Sequence, residues 1–296
     1  MPRPRFLDYI AIGVCTLVWG TTWLAITFQF GSVDPVVSLV YRFALATLLL
    51  FGWCGLRAIA LRLTAAQHVA ACGIGLFTFT IDYTFIYLAE TRITSAVVAV
   101  MFATLALVNL AVFRIFLGQR APLHTWAAAA LGAAGVAVLS WSEIANAHLS
   151  ASARGGVAMA FIAVLSAAVG NVYARRGEAA GASVAALTTW SMGYGTLLLS
   201  LYALATGRPW IFELSFAYVG SLVYLAVFGS VVTFLFYYGL ARRQGYATAA
   251  YVAALTPAVA MLMSTWFEGK TWNATAIGGL ALVLVGQWLL LRARSA

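Results

Sequence analysis

The chain has 296 residues, of which 64% are hydrophobic and 8% charged, a composition far outside that of soluble globular domains. Ten apolar stretches of ~20 residues, each long enough to cross a bilayer, occupy roughly 200 residues and leave no room for a separate soluble domain. The net charge of +9 is a topology signal and excludes nothing but a simple nucleic-acid reading, because the basic residues sort by loop.

In chain order the expected spans are about 8–28, 36–56, 68–90, 94–116, 123–142, 155–176, 184–206, 216–240, 247–267 and 274–292. Segments flanking them alternate in charge. Arg3/Arg5, Arg57/Arg62, Arg114/Arg120, Arg175/Arg176, Arg242/Arg243 and Arg292/Arg294 form doubly basic segments. The intervening segments hold at most one basic residue each: Arg92, Arg154, Arg208 and Lys270. Short loops rich in Lys and Arg stay cytoplasmic. The expectation is therefore an all-α integral membrane protein of ten spans with both termini cytoplasmic. The run after Arg3 and Arg5 continues for a full span, so the first helix is expected to anchor rather than to be cleaved. Cys15, Cys54 and Cys72 lie inside apolar runs with no metal or disulfide spacing. A bacterial inner membrane is the expected address, and the preference for Arg over Lys fits a GC-rich genome.

The segment from Ser142 to Arg154 reads as the longest outer loop and divides the chain five plus five, into 1–145 and 155–296. The halves look related. Aligning Gly118 with Gly269 also pairs Gly135 with Gly286. Five spans per half force the second copy upside down, which is the inverted-repeat architecture of secondary transporters.

Polar and aromatic residues at membrane depth are the candidates for function. Arg42 and Asp82 lie within spans, each roughly 5 Å to the outer side of its span centre at 1.5 Å per residue. They are close enough in depth to form a charge pair, structural or gating. Phe79, Tyr83 and Tyr87 step by four along the third span and share a face, with Asp82 and Ile86 beside it. That face suits a cavity for a flat or apolar solute, and it suits plain helix packing. Met101, Leu105 and Asn109 step by four in the fourth span, next to Phe102; Asn109 needs a partner at that depth. Trp19 and Trp23 share a face of the first span. Asn171 and Tyr173 in the sixth and Tyr237 and Tyr238 in the eighth are further cavity candidates, with interfacial anchoring as the alternative. Pro257 falls mid-span and breaks a backbone bond, which makes it a candidate hinge. Ala128 and Gly132 offer a small-residue packing face. His68, His124 and His148 form no cluster. No phosphate loop, zinc motif or hydrolase triad is present, so no cofactor, no metal and no catalytic residues are expected.

Trp19-Gly20-Thr21-Thr22-Trp23 in the first span, Tyr41-Arg42-Phe43-Ala44-Leu45-Ala46 in the second and Leu255-Thr256-Pro257-Ala258-Val259 in the ninth resemble, in that order, the EamA type of the drug/metabolite transporter superfamily. The aromatic third span makes the chain most similar to the YddG-type aromatic amino-acid exporter branch. Where the family usually carries a Gly-Glu pair after the fourth span, this chain has Gly118-Gln119. The resemblance implies ten helices and export from the cytoplasm. The expected partners are the lipid bilayer and a small amino-acid-like solute, not nucleic acid, and a single chain is expected to suffice. Alternatives are a multidrug or other metabolite exporter, a lipid flippase, or an intramembrane enzyme, although Asp82 has no second reactive group at its depth.

Overall fold

The computed structural model describes residues 6–146, 151–267 and 274–292. Among the described residues every element is helical and no strand occurs. The elements are α1 (Phe6–Thr27), α2 (Pro35–Leu56), α3 (Ala65–Ile74), a π-helical stretch (Gly75–Asp82), α4 (Tyr83–Glu90), α5 (Ser95–Phe102), α6 (Leu105–Leu117) and α7 (Leu123–Asn146). There follow α8 (Ala151–Ala179), α9 (Val184–Ala205), α10 (Phe216–Ala226), a second π-helical stretch (Val227–Val232), α11 (Thr233–Gln244), α12 (Tyr246–Phe267) and α13 (Ala274–Arg292). Each π stretch joins its flanking helices into one continuous rod, Ala65–Glu90 and Phe216–Gln244. Seven helices among the described residues are long and apolar enough to cross a membrane. Leu48, Phe161, Leu201 and Phe228 are among the large apolar side chains they expose, as expected of surfaces solvated by lipid. The chain is thus a multi-pass membrane protein.

Local chemistry sets the ends of these helices. Asp34 caps α2 through the Val36 amide, with Pro35 at the first position. Thr64 and Gln67 form a reciprocal capping box on α3. Ser183 and Ser215 cap α9 and α10. Gly118 ends α6 in the left-handed region, at φ 65°, where a residue without Cβ is favoured. The expected long loop between Ser142 and Arg154 is corrected at both ends: α7 runs through Asn146 and α8 starts at Ala151, where alanine favours the helix. The Gly269–Lys270 junction, His148 and the arginines Arg3, Arg5 and Arg294 lie outside the described residues.

The two ends of the bundle are closed by polar contacts. At one end Arg243 pairs with Asp8 at 2.7 Å and Gln244 donates to the same carboxylate. Glu178 there accepts from Arg175 and from the Tyr246 hydroxyl, and Gln67 donates to the Ala180 carbonyl. At the other end Arg208 pairs with Asp34 at 3.1 Å, and Ser32 and Ser215 donate to Glu213. These donors hold the partly exposed Glu213 carboxyl below its ordinary range.

α7 and α13 lie against each other so closely that glycine is required. A Cβ on Gly135 would stand 2.6 Å from the Val283 amide nitrogen and 2.8 Å from the Gly279 carbonyl. A Cβ on Gly286 would stand 2.5 Å from the Gly132 amide nitrogen and 2.9 Å from the Ala128 carbonyl. Ala128 and Gly132 therefore serve as the small-residue packing face read from the sequence.

Candidate functional site

A cavity with an empty volume of about 740 Å³, its mouth included, lies inside the bundle. Several helices supply its wall, each by one face. Trp19, Thr22, Trp23 and Ile26 come from α1, at the spacing of successive turns. Thr78 and Asp82 come from the first π stretch, and Tyr83 and Ile86 from α4. Phe102 and Leu105 flank the break between α5 and α6, where Ala103 and Thr104 leave the α-helical pattern. Ala167 and Asn171 project from α8, Phe234, Tyr237 and Tyr238 from α11, and Thr256 from α12.

The wall is aromatic and interlocked. Trp19 meets Phe234 and Tyr237 at centroid distances of 5.4 and 5.2 Å, and Trp23 meets Phe102 at 5.3 Å. Tyr237 and Tyr238 meet at 5.4 Å. Such edge and tilted pairs fix ring orientation as well as burying surface. Trp19 is pinned further by donating its indole N–H to the Gly229 carbonyl at 3.2 Å. That carbonyl belongs to the second π stretch, whose wider turn leaves acceptors out of the ordinary helical ladder.

Of the sequence candidates, Trp19, Asp82, Tyr83, Phe102, Asn171, Tyr237 and Tyr238 face the cavity. Phe79, Tyr87, Met101 and Asn109 are not in its lining. Phe79 is fully buried behind the wall, packed on Phe43 and Phe234. Asn109 sits behind Asn171, whose side-chain amide donates to it at 3.2 Å. Met101 packs against the core. Tyr87 accepts from Arg42 and meets Phe30 edge-on. Pro257 is inside α12, buried, and adjacent to the lining residue Thr256. As cavity residues the sequence reading missed Thr22, Ile26, Thr78, Ala167, Phe234 and Thr256. Phe234 stands one turn before Tyr238, so the aromatic spacing in the eighth span carried its signal. Thr78 stands one turn before Asp82 and is a polar residue in an apolar run.

Arg42 and Asp82 are not bonded to each other. Arg42 is 1% exposed. Its Nε donates to Ser230 Oγ at 3.1 Å, and its Nη1 and Nη2 donate to the Tyr87 hydroxyl and the Gly229 carbonyl, each at 3.4 Å. The guanidinium also lies over the Tyr83 ring at 4.7 Å. No ion pair between Arg42 and Asp82 occurs among the described residues, and Asp82 Oδ1 accepts no hydrogen bond. Around Arg42 lies a polar layer toward the end that carries Asp34 and Arg208. Ser38 and Tyr218 share a hydrogen bond of 2.9 Å, and the Gln29 amide donates to Ser221 and to the Tyr218 carbonyl.

A multi-pass helical bundle with an aromatic cavity buried within it and a hydrogen-bonded layer to one side offers room for a small solute inside the bundle. The chain belongs to the EamA-like transporter family, whose profile matches it twice, over residues 7–141 and 154–292. It is 30% identical over 279 residues to the uncharacterized inner membrane transporter YedA of Escherichia coli K12, covering 91% of this chain and 87% of that one. It is 24% identical to the protein PagO of Salmonella typhimurium, covering 95% of this chain and 91% of that protein. An uncharacterized transporter of Archaeoglobus fulgidus is 22% identical, with coverage of 97% and 99%. A crystal structure with 17% sequence identity superposes with a TM-score of 0.76, covering 99% of this chain and 100% of that one, which speaks to the fold alone. The relatedness to an inner membrane transporter supports a bacterial inner membrane location.

Proposed function

We propose that the chain is a secondary exporter of small amphiphilic metabolites, aromatic and other apolar amino acids first among them. It works by alternating access as two inverted five-helix repeats, 1–145 and 155–296, in ten spans with both termini cytoplasmic. The observation that carries the reading is the buried cavity walled by Trp19, Trp23, Tyr83, Phe234, Tyr237 and Tyr238, whose rings suit an apolar side chain. Three features favour the repeat. The family profile matches each half. Both halves have a π-helical stretch in their third rod, Gly75–Asp82 and Val227–Val232. The α7–α13 seam is reciprocal: one shift along the chain carries Ala128, Gly132 and Gly135 onto Gly279, Val283 and Gly286, and the same shift carries the cap Thr64 onto the cap Ser215. Inverted repeats place the solute at their interface near the midplane. Pro257, beside Thr256, serves as the hinge, and one chain holds the whole pathway.

The test is uptake of labelled Phe, Trp, Met, Thr and Lys into proteoliposomes of purified protein, with and without a pH gradient. Saturable entry of Phe or Trp is expected, with Tyr83→Ala lowering it by about tenfold or more, the loss of one ring contact and its buried surface. Pro257→Ala is expected to slow entry in the same assay. Entry without a gradient identifies a facilitator. Absence of amino-acid entry under both conditions would sink the solute assignment and move weight to a drug or lipid substrate.

A further inference from the structure

Among the described residues the cavity wall contains one carboxyl group and no cationic side chain. Asp82 is 4% exposed and faces the cavity, and its Oδ1 has no hydrogen-bond partner. Arg42 does not form an ion pair with it, because its donors are directed at Ser230, Tyr87 and Gly229. A buried carboxyl group with one oxygen unbonded and no cation in direct contact is costly to keep ionised, and a cation arriving beside it offsets that cost. The surrounding rings add to this. Trp23, Phe102 and Phe234 line the same space, and aromatic faces attract ammonium groups, most strongly where water is excluded; the Tyr83 ring already carries the Arg42 guanidinium.

We infer that Asp82 and the aromatic wall form an ammonium site, so that the solute is recognised by a protonated amine on an apolar or aromatic body. The inference rests on the reading of this cavity as the solute site. It refines the solute in a definite direction. A solute carboxylate finds no cation on the wall and is repelled by Asp82. An amine lacking a carboxylate therefore binds more tightly than the amino acid with the same side chain, and an acid lacking the amine does not bind.

Binding to purified full-length protein in detergent, read by thermal unfolding, tests this with phenethylamine, L-phenylalanine and 3-phenylpropionate. The expected order is phenethylamine first, phenylalanine second and no stabilisation by phenylpropionate. Asp82→Asn, which keeps the shape and removes the charge, is expected to weaken phenethylamine by at least about tenfold, whereas Asp82→Glu retains the preference for the amine. Equal stabilisation by phenylpropionate and phenethylamine would overturn the inference, as would no shift with phenethylamine. An undiminished amine affinity in Asp82→Asn would do the same. The wild-type ligand series decides even if the variants fail to fold. Phenethylamine binding without amino-acid uptake would remove the amino-acid reading and keep the ammonium site. Phenylalanine uptake without amine preference would do the reverse.

Discussion

Arg42 carries its charge deep in the bundle on three hydrogen bonds and a ring face, with no carboxylate bonded to it. Its geometry uses the planar guanidinium, since three nitrogens reach three different acceptors, which a lysine ammonium cannot reproduce. Arg42→Ala is expected to destabilise the protein by about 2 kcal/mol or more, because hydrogen bonds to a charged group are lost and their acceptors stay buried. Arg42→Lys should recover only part of this, as measured by the unfolding midpoint in detergent. Glu213 gives a pH signature at the surface. Its carboxyl is held below the ordinary range by the Ser215 and Ser32 hydroxyls, so its contribution is present above the ordinary carboxylate pKa and is lost as pH falls through the depressed folded value. A small acid-side decline in the unfolding midpoint is expected, and Glu213→Gln should flatten it. At this scale the sequence showed the residue types well and their depth from the cavity poorly. Asp82 and Tyr83 were visible as a polar and an aromatic group in an apolar run. The steps of four that joined Tyr83 to Phe79 and Tyr87 assumed an ordinary helix. The π stretch through Asp82 widens the turn between Phe79 and Tyr83, Tyr87 one ordinary turn on is taken up by Arg42, and only Tyr83 of the three faces the cavity.

Among the helices, the π stretches are the departures that no hydropathy pattern discloses, since a wider turn needs no special composition. Side-chain hydroxyls occupy the carbonyls that such turns leave exposed: Thr80 donates to Gly75 at 2.9 Å, Ser230 to Leu225 at 2.9 Å and Thr233 to Phe228 at 3.0 Å, each five residues back. Most span ends, by contrast, were legible from the apolar runs to within a few residues, whereas the helical ends around 142–154 and the break at Ala103–Thr104 were not. The α7–α13 seam was half legible, as glycines at related positions without the knowledge that they touch. It carries a sharp expectation. Gly135→Ala places a methyl against the Val283 backbone, which cannot rotate away, so a loss of about 1–3 kcal/mol is expected, the usual range for overpacking. Gly278→Ala, on the same helix as Val283 but facing open space, should be neutral to slightly stabilising, since alanine is the better helix former. Comparing the two by thermal unfolding separates crowding from a general effect of losing glycine.

Across the whole molecule, the alternation of arginine-rich and arginine-poor segments maps onto the two polar ends. Arg243 and Arg242 sit with Asp8 and Ala182 at one end; Arg208 sits with Asp34 at the other. If the basic end is cytoplasmic, a cysteine placed at Arg57 in a chain lacking Cys15, Cys54 and Cys72 is blocked only by permeant thiol reagents in intact cells. A cysteine at Arg208 is blocked by impermeant ones, and the opposite pattern would invert the proposed direction of transport. The alternation was legible because charge must stay out of lipid; the cavity between the ends was not, because it depends on how the rods pack together.

The polar contacts described above run mostly between the first half of the chain and the second. Arg42 reaches Ser230, Gln29 reaches Ser221, Ser38 meets Tyr218, Asp34 meets Arg208 and Asp8 meets Arg243. The Gly135–Gly286 seam crosses the same divide. During synthesis, then, the first half enters the membrane with a buried arginine, a glutamine and an open glycine groove still waiting for partners that the ribosome has not made. Polar groups left in hydrocarbon are costly, so the early helices gain their native arrangement only when α11 arrives, and the seam closes only with α13. A chain that stops short of α13 presents the cell with an unfinished membrane protein, not with a smaller transporter.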